Sequence, residues 1–177
     1  MSGSFRHVGE ELVNRSVVID VVRGSYVAPD DTPFERAIVR HRGAVGVVAV
    51  VDEEVVLVRQ YRAPIADHLL ELPAGIRDVD GEDPSLTAVR ELAEETGLRA
   101  GRVEHLTTYY TAAGFTDEAV YLYQAFDLVQ HEPETHGPEE AWMTIERLPL
   151  AEIDEAIASG RIIDAKTIIG LQLLRRP

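Results

Sequence analysis

The chain has 177 residues, no cysteine and a formal net charge of −14. That length suits one compact domain with a substantial core. The missing cysteines exclude disulfides, thiolate zinc sites and a cysteine nucleophile. A surface this acidic repels nucleic acid and anionic membrane, so neither is expected as a partner. No apolar run reaches the length of a membrane span and the N-terminus does not read as a secretory signal, so a cytoplasmic protein is expected. The same charge would repel a phosphorylated substrate, which makes the placement of the basic residues informative.

The elements follow from the pattern in chain order. Residues 1–15 are polar and read as a mobile arm or a partner contact. Val17 to Arg23 is β-branched and Arg36 to His41 is a second strand candidate, with a turn between them at Pro29-Asp30-Asp31-Thr32-Pro33. Ala44 to Val51 is nearly all apolar and predicts a buried strand. Asp52-Glu53-Glu54 turns the chain into a partner strand, Val55 to Tyr61. Leu69 to Leu72 is a short strand, followed by a loop at Gly75 and a helix over about 83–97. Strands are predicted at Val103 to Tyr110 and Ala119 to Leu128. A polar loop follows, Gln130 to Glu140, then a short strand from Trp142 to Ile145. Amphipathic helices are predicted at Leu150 to Ser159 and Asp164 to Leu174. Mixed strands, a central helix and two C-terminal helices predict an α/β or α+β sandwich with helices covering a sheet.

The central helix is the most informative segment. Pro84 and Ser85 suit its start and Gly97 its stop. At 100° per residue Leu86, Val89, Leu92, Ala93 and Thr96 fall on one side, and Arg90, Glu91, Glu94 and Glu95 on the other. Carboxylates crowded in this way repel one another unless a cation neutralises them, and hard oxygen ligands suit Mg²⁺ or Mn²⁺. The competing explanation is a solvated helix face with Arg90 paired to Glu94.

The wider pattern decides between them. Gly75, Glu82, Arg90, Glu91, Leu92, Glu94, Glu95, Gly97 and Leu98 together resemble the Nudix box: a glycine, a glutamate, then R-E-U-x-E-E-x-G-U with U aliphatic. Six residues separate Gly75 from Glu82 where the usual box has five, and the extra one falls in the loop-like stretch Ile76 to Gly81. The resemblance implies a Nudix α/β/α sandwich with a mixed sheet, over residues 36–177, preceded by an N-terminal strand segment, 1–35, that such proteins swap between the subunits of a homodimer. It assigns Glu91, Glu94 and Glu95 and the Ala74 carbonyl to divalent metal. Arg90 orients these carboxylates, Glu82 braces the loop, and Gly75 and Gly97 serve as turn residues.

Further segments resemble the ADP-ribose pyrophosphatase branch of that family. The strand Arg59-Gln60-Tyr61-Arg62, followed by Glu71-Leu72-Pro73-Ala74-Gly75, places Arg62 first, then Arg59, at the diphosphate, with Glu71 also among the substrate-binding residues. A planar guanidinium fits phosphate oxygens well. Without the resemblance, both arginines would read as edge-strand charges. His41-Arg42-Gly43-Ala44-Val45 resembles the branch's H-P-G-A-V, with Arg42 in place of proline. Gly114-Phe115-Thr116-Asp117-Glu118 resembles its P-G-[FY]-[ST]-D-E segment, with Ala113 in place of proline, and points to Gly114 and Glu118 on the substrate side. Glu139 and Glu140 match a loop that carries the general base. Arg36, with Tyr26 and Phe34, would help bind adenine across the dimer. Trp142 is expected in the core or an interface.

The implied activity is Mg²⁺-dependent hydrolysis of ADP-ribose to AMP and ribose 5-phosphate. Two alternatives stand beside it: hydrolysis of another nucleoside diphosphate sugar such as GDP-mannose, and a non-catalytic nucleotide sensor. The intact box carboxylates disfavour the sensor.

Overall fold

A computed structural model describes residues 3–131 and 142–174. The chain divides into two compact units, Met1–Gly43 with Tyr109–Ala119, and Ala44–Thr108 with Val120–Pro177.

The first unit is built on an antiparallel three-stranded sheet of β1 (Arg6–Arg15), β2 (Ile19–Val27) and β3 (Pro33–His41), in that spatial order. Of the two readings of residues 1–15, a mobile arm or a partner contact, the first is corrected by β1. Its polar sequence hides a strand because pairing with β2, from Arg6 opposite Val27 to Arg15 opposite Asp20, supplies the order. The turn before β3 closes as expected, with the Ala28 N–H donating to the Thr32 carbonyl at 2.9 Å.

The second unit holds a mixed seven-stranded sheet. Its spine runs β10 (Thr144–Pro149), β5 (Glu54–Arg62), β4 (Ala44–Val51), β9 (Ala119–Gln130), β8 (Leu98–Tyr110). β6 (Asp67–Glu71) pairs with β5, and β7 (Ala74–Ile76) with β4. β4 and β9 are parallel, in register from Ala44 opposite Val120 to Ala49 opposite Ala125. The β4–β5 hairpin turns through Asp52 and Glu53, both at positive φ, the conformation that two-residue hairpins require. The last strand covers Thr144–Pro149 rather than starting at Trp142, because its ladder with β5 sets its limits. Trp142 is 83 % exposed, so of the two places expected for it, core or interface, the core is excluded.

Alternation along β4 makes the unit a sandwich. Val45, Val47 and Ala49 point to one face, where they pack with Ala88 and Leu92 of α1 (Pro84–Thr96). Val48, on the opposite face, meets Gly170 of α3 (Ala165–Leu173). A strand covered on both faces reads as one continuous apolar run, which is what β4 shows. The predicted helix near residue 150 is a 3₁₀ turn, Leu150–Glu152, leading into α2 (Ile153–Ala158). No helix among the described residues is long and apolar enough to cross a membrane.

The α1 ends fall where Pro84 and Gly97 placed them, with the N-cap one residue before Pro84. Asp83 is the N-cap and accepts the Ser85 N–H at 2.9 Å, with Pro84 the first helical residue. Gly97 ends the helix at φ 71°, where its N–H reaches the Ala93 carbonyl. The buried face departs from the expected one. It runs through Thr87, Ala88, Leu92, Glu95 and Thr96, while Leu86 is 60 % exposed. Periodicity placed Glu95 with the exposed carboxylates; a backbone partner described below brings it inside.

Leu92 is fully buried between α1 and the sheet. Leu92→Ala is expected to cost about 2–5 kcal/mol of stability, read as a lowered urea midpoint with an unchanged slope.

Candidate active site

Two clusters of charged side chains lie in the second unit. The first is built by α1 and the loop it faces. Glu95 is buried, and its carboxylate accepts the Ala74 N–H at 3.0 Å. Glu91 is half-buried against Gly75, so closely that a Cβ at position 75 would fall within its carboxylate. Gly75 lies in β7 and has no left-handed φ. Its expected role as a turn residue is thus corrected: what it permits is the approach of Glu91.

Arg90 threads the acidic cluster. Nη1 lies 2.8 Å from Glu91 Oε1 and 3.2 Å from Glu94 Oε2, while Nη2 lies 2.9 Å from Asp78 Oδ1 and 3.5 Å from Glu82 Oε2. Glu82 is braced in turn by the Thr87 hydroxyl, which donates to it at 2.7 Å. The cluster is therefore not wholly without a basic partner: one guanidinium serves four carboxylates, and repulsion remains. The residue inserted between Gly75 and Glu82 is taken up in a turn that ends at Gly81, φ 79°.

The charge left over shows at Glu91, whose carboxyl is pushed up to about 7. Burial is the first cause; Arg90 opposes it, and Glu94 and Asp78 reinforce it. Three carboxylates on adjacent turns of one helix are a hard oxygen donor set that a divalent cation fits. Among the described residues no three His, Asp or Glu side chains already converge as a metal cage, because Glu91 and Glu94 turn onto Arg90 and Glu95 onto a backbone N–H.

The second cluster centres on Glu71 of β6, which is 0 % exposed. Arg62 grips it with two parallel bonds, Nε to Oε1 and Nη2 to Oε2, each 2.7 Å. Burial pushes the Glu71 carboxyl up, but Arg62 and Lys166 outweigh it and hold it below the ordinary carboxylate value. Lys166 of α3 contacts Glu71 Oε2 and lies 3.1 Å from Asp164 Oδ2. Reading the sequence missed Lys166. A signal was present: a lysine in the first turn of a helix sits at the positive end of the helix dipole and needs a reason to be there. Arg59 is instead paired with Glu146 on β10, beside Arg161.

The remaining candidates lie elsewhere. In the first unit, Arg36 stacks over the Phe34 ring at 4.8 Å and Phe34 stacks on Tyr26 at 5.4 Å. Gly114 lines a groove beside them, with Phe5, Phe34 and Phe115. Glu118 accepts the Thr111 hydroxyl at 2.7 Å and lies 3.6 Å from His41 Nδ1, while Asp117 binds the Arg40 guanidinium at 2.9 Å. Glu139 and Glu140 lie outside the described residues.

A family model described as the NUDIX domain matches residues 40–165. The chain belongs to the Nudix family. Among curated relatives of this Nudix protein, a methanol dehydrogenase activator of Bacillus methanolicus is 40 % identical, over 83 % of this chain and 80 % of its own. An ADP-ribose pyrophosphatase of Bacillus subtilis strain 168 is 34 % identical, over 95 % and 91 %. A solved structure titled as an ADP compounds hydrolase superposes with a TM-score of 0.82 at 25 % identity, covering 98 % of this chain and 94 % of that one. The expected mixed-sheet α/β sandwich is thereby borne out.

The Glu91 environment yields a prediction for the metal-free protein. The folded state holds the Glu91 proton above the ordinary pKa of 4.5, where the unfolded chain releases it. This contribution to stability is full below 4.5 and is lost as pH rises through about 7. Denaturant midpoints measured with chelator from about pH 5 to pH 8 should fall, and Glu91→Gln should flatten that part of the profile. A constant offset between the two proteins would contradict the assignment.

Proposed function

We propose that this Nudix protein hydrolyses the diphosphate bond of ADP-ribose to AMP and ribose 5-phosphate, with Mg²⁺ as cofactor and Mn²⁺ able to replace it. The observation that carries the reading is the crowding of Glu91 and Glu95 against the Ala74–Ile76 strand, with Glu94 beside them and the Arg90 guanidinium shared by Glu91 and Glu94. The names of the Bacillus subtilis relative and of the ADP compounds hydrolase support ADP-ribose as the substrate.

Glu91, Glu94 and Glu95 would hold the divalent ion, with the Ala74 carbonyl as a further ligand. When bound, the ion supplies Lewis acidity at the diphosphate and a more acidic water. Arg90 keeps the carboxylates oriented and spaced. Arg62, held in plane by Glu71, contacts diphosphate oxygens, and Arg59 contributes positive charge from the same strand. Arg36 would contact the adenine of a substrate held by the partner subunit of a homodimer, and Gly114 and Glu118 are further candidate substrate contacts. Glu139 or Glu140 takes the proton of the attacking water. As the water oxygen joins phosphorus, the bridging oxygen leaves with the other phosphate. Positioning and charge neutralisation account for most of the rate in such phosphoryl chemistry.

A homodimer fits the surface of the first unit. Phe5, Val8, Leu12 and Val13, on or beside the outer strand β1, are all exposed, and an uncovered edge strand is a template for pairing. A monomeric mass in light scattering at micromolar concentration would contradict this assembly.

Glu95→Gln keeps an oxygen for the Ala74 N–H but removes the charge. It is expected to fold and to lower kcat on ADP-ribose by about a hundredfold or more. Full turnover in a folded Glu95→Gln protein would sink the assignment. Run alongside GDP-mannose at equal concentration, the same assay decides the substrate. Because Glu91 must lose its proton to bind metal, Mg²⁺ affinity measured by calorimetry should rise with pH through about 7.

A further inference from the structure

Lys166 is a cation in an unfavourable place. It occupies the first turn of α3, where the helix dipole disfavours positive charge, and its side chain is only 13 % exposed. Asp164, the N-cap of the helix, offsets part of that cost at 3.1 Å. The other contact is Glu71, which Arg62 already grips with two bonds. Glu71 Oε2 thus takes both the Arg62 Nη2 and the Lys166 ammonium, and the two cations set the carboxylate plane between them. The α3 backbone is locked to the same place: Thr167 is fully buried, donates its hydroxyl to Asp164 at 2.6 Å and accepts the Leu72 N–H at 2.8 Å. Leu72 directly follows Glu71.

The lysine stem also passes near Gly46 of β4. A Cβ built at Gly46 would lie 3.9 Å from Lys166 Cδ and 4.0 Å from the Pro73 carbonyl oxygen. The charge of Glu95, whose carboxylate holds Ala74, is in turn felt at Arg62. One connected set of contacts therefore joins the first turn of α3, the buried Glu71 and the arginine assigned to the diphosphate.

We propose that Lys166 is a positioning residue for diphosphate recognition: by holding the buried Glu71 carboxylate, it sets the plane and reach of the Arg62 guanidinium. The inference rests on the assignment of Arg62 to the diphosphate made above. Lys166 acts through Glu71 and Arg62, and its removal frees Glu71 to turn and Arg62 to lose its direction.

A double-mutant cycle on inorganic pyrophosphate, titrated calorimetrically with Mg²⁺ present, tests this without relying on turnover. Lys166→Met and Arg62→Met should each weaken pyrophosphate binding about tenfold, and the double variant should be within about twofold of Arg62→Met alone, because contacting residues are not additive. Lys166→Arg keeps a cation on Glu71 and should stay within about threefold of the parent protein. If Lys166→Met does not fold, Lys166→Gln takes its place in the cycle. Losses that multiply, binding unchanged in the Lys166 variant, or no effect of Arg62→Met would each overturn the proposal. ADP-ribose turnover by the parent protein is assayed separately: its absence removes the substrate assignment, while the pyrophosphate cycle still decides the role of Lys166.

Discussion

The Glu95 carboxylate accepts the Ala74 N–H at 3.0 Å, and the rest of the acidic cluster is arranged around that contact. A buried carboxylate needs donors, and here the donor is a backbone amide of a short strand. The bond fixes how α1 rotates about its axis and how far it sits from β7. Once those are set, Glu91 one turn earlier lies against Gly75, where a Cβ would displace its carboxylate. Glu94, between them in sequence, faces Arg90. The helix is therefore docked through its carboxylates as well as through Ala88 and Leu92.

Cations are used sparingly in a chain of net charge −14. Arg90 spreads one guanidinium over Asp78, Glu82, Glu91 and Glu94, which keeps the carboxylates in place without neutralising them. At the second cluster the balance is reversed. Arg62 and Lys166 share the single buried carboxylate of Glu71, with Asp164 alongside. Under the proposed function this partition has a purpose: carboxylates kept short of cations where metal would bind, and arginine held rigid where phosphate would bind.

The sequence determined more of this than its low aromatic content suggests. The box residues, the helix from Pro84 to Thr96, its Gly97 stop, and the buried β4–β5 hairpin were all readable, because caps, turn residues and apolar runs act over a few positions. The strand β1 was not readable, because its order comes from cross-strand bonds to β2 and not from its own side chains. Residue type left Trp142 between core and interface, because residue type does not fix exposure. Helical periodicity put Glu95 on the solvent side, since an angle around a helix carries no knowledge of the amide at Ala74.

Only the tertiary structure decided the long-range contacts. Gly75 leaves room for a carboxylate 16 positions later, a relation set by the packing of α1 on β7. The environment of Arg62 depends on Glu71 across a strand pair and on Lys166 about a hundred residues on, from the opposite layer of the sandwich. A local pattern records what a residue can do; the partners that hold it to one task are brought up by the chain's return, and their spacing in sequence carries no trace of it.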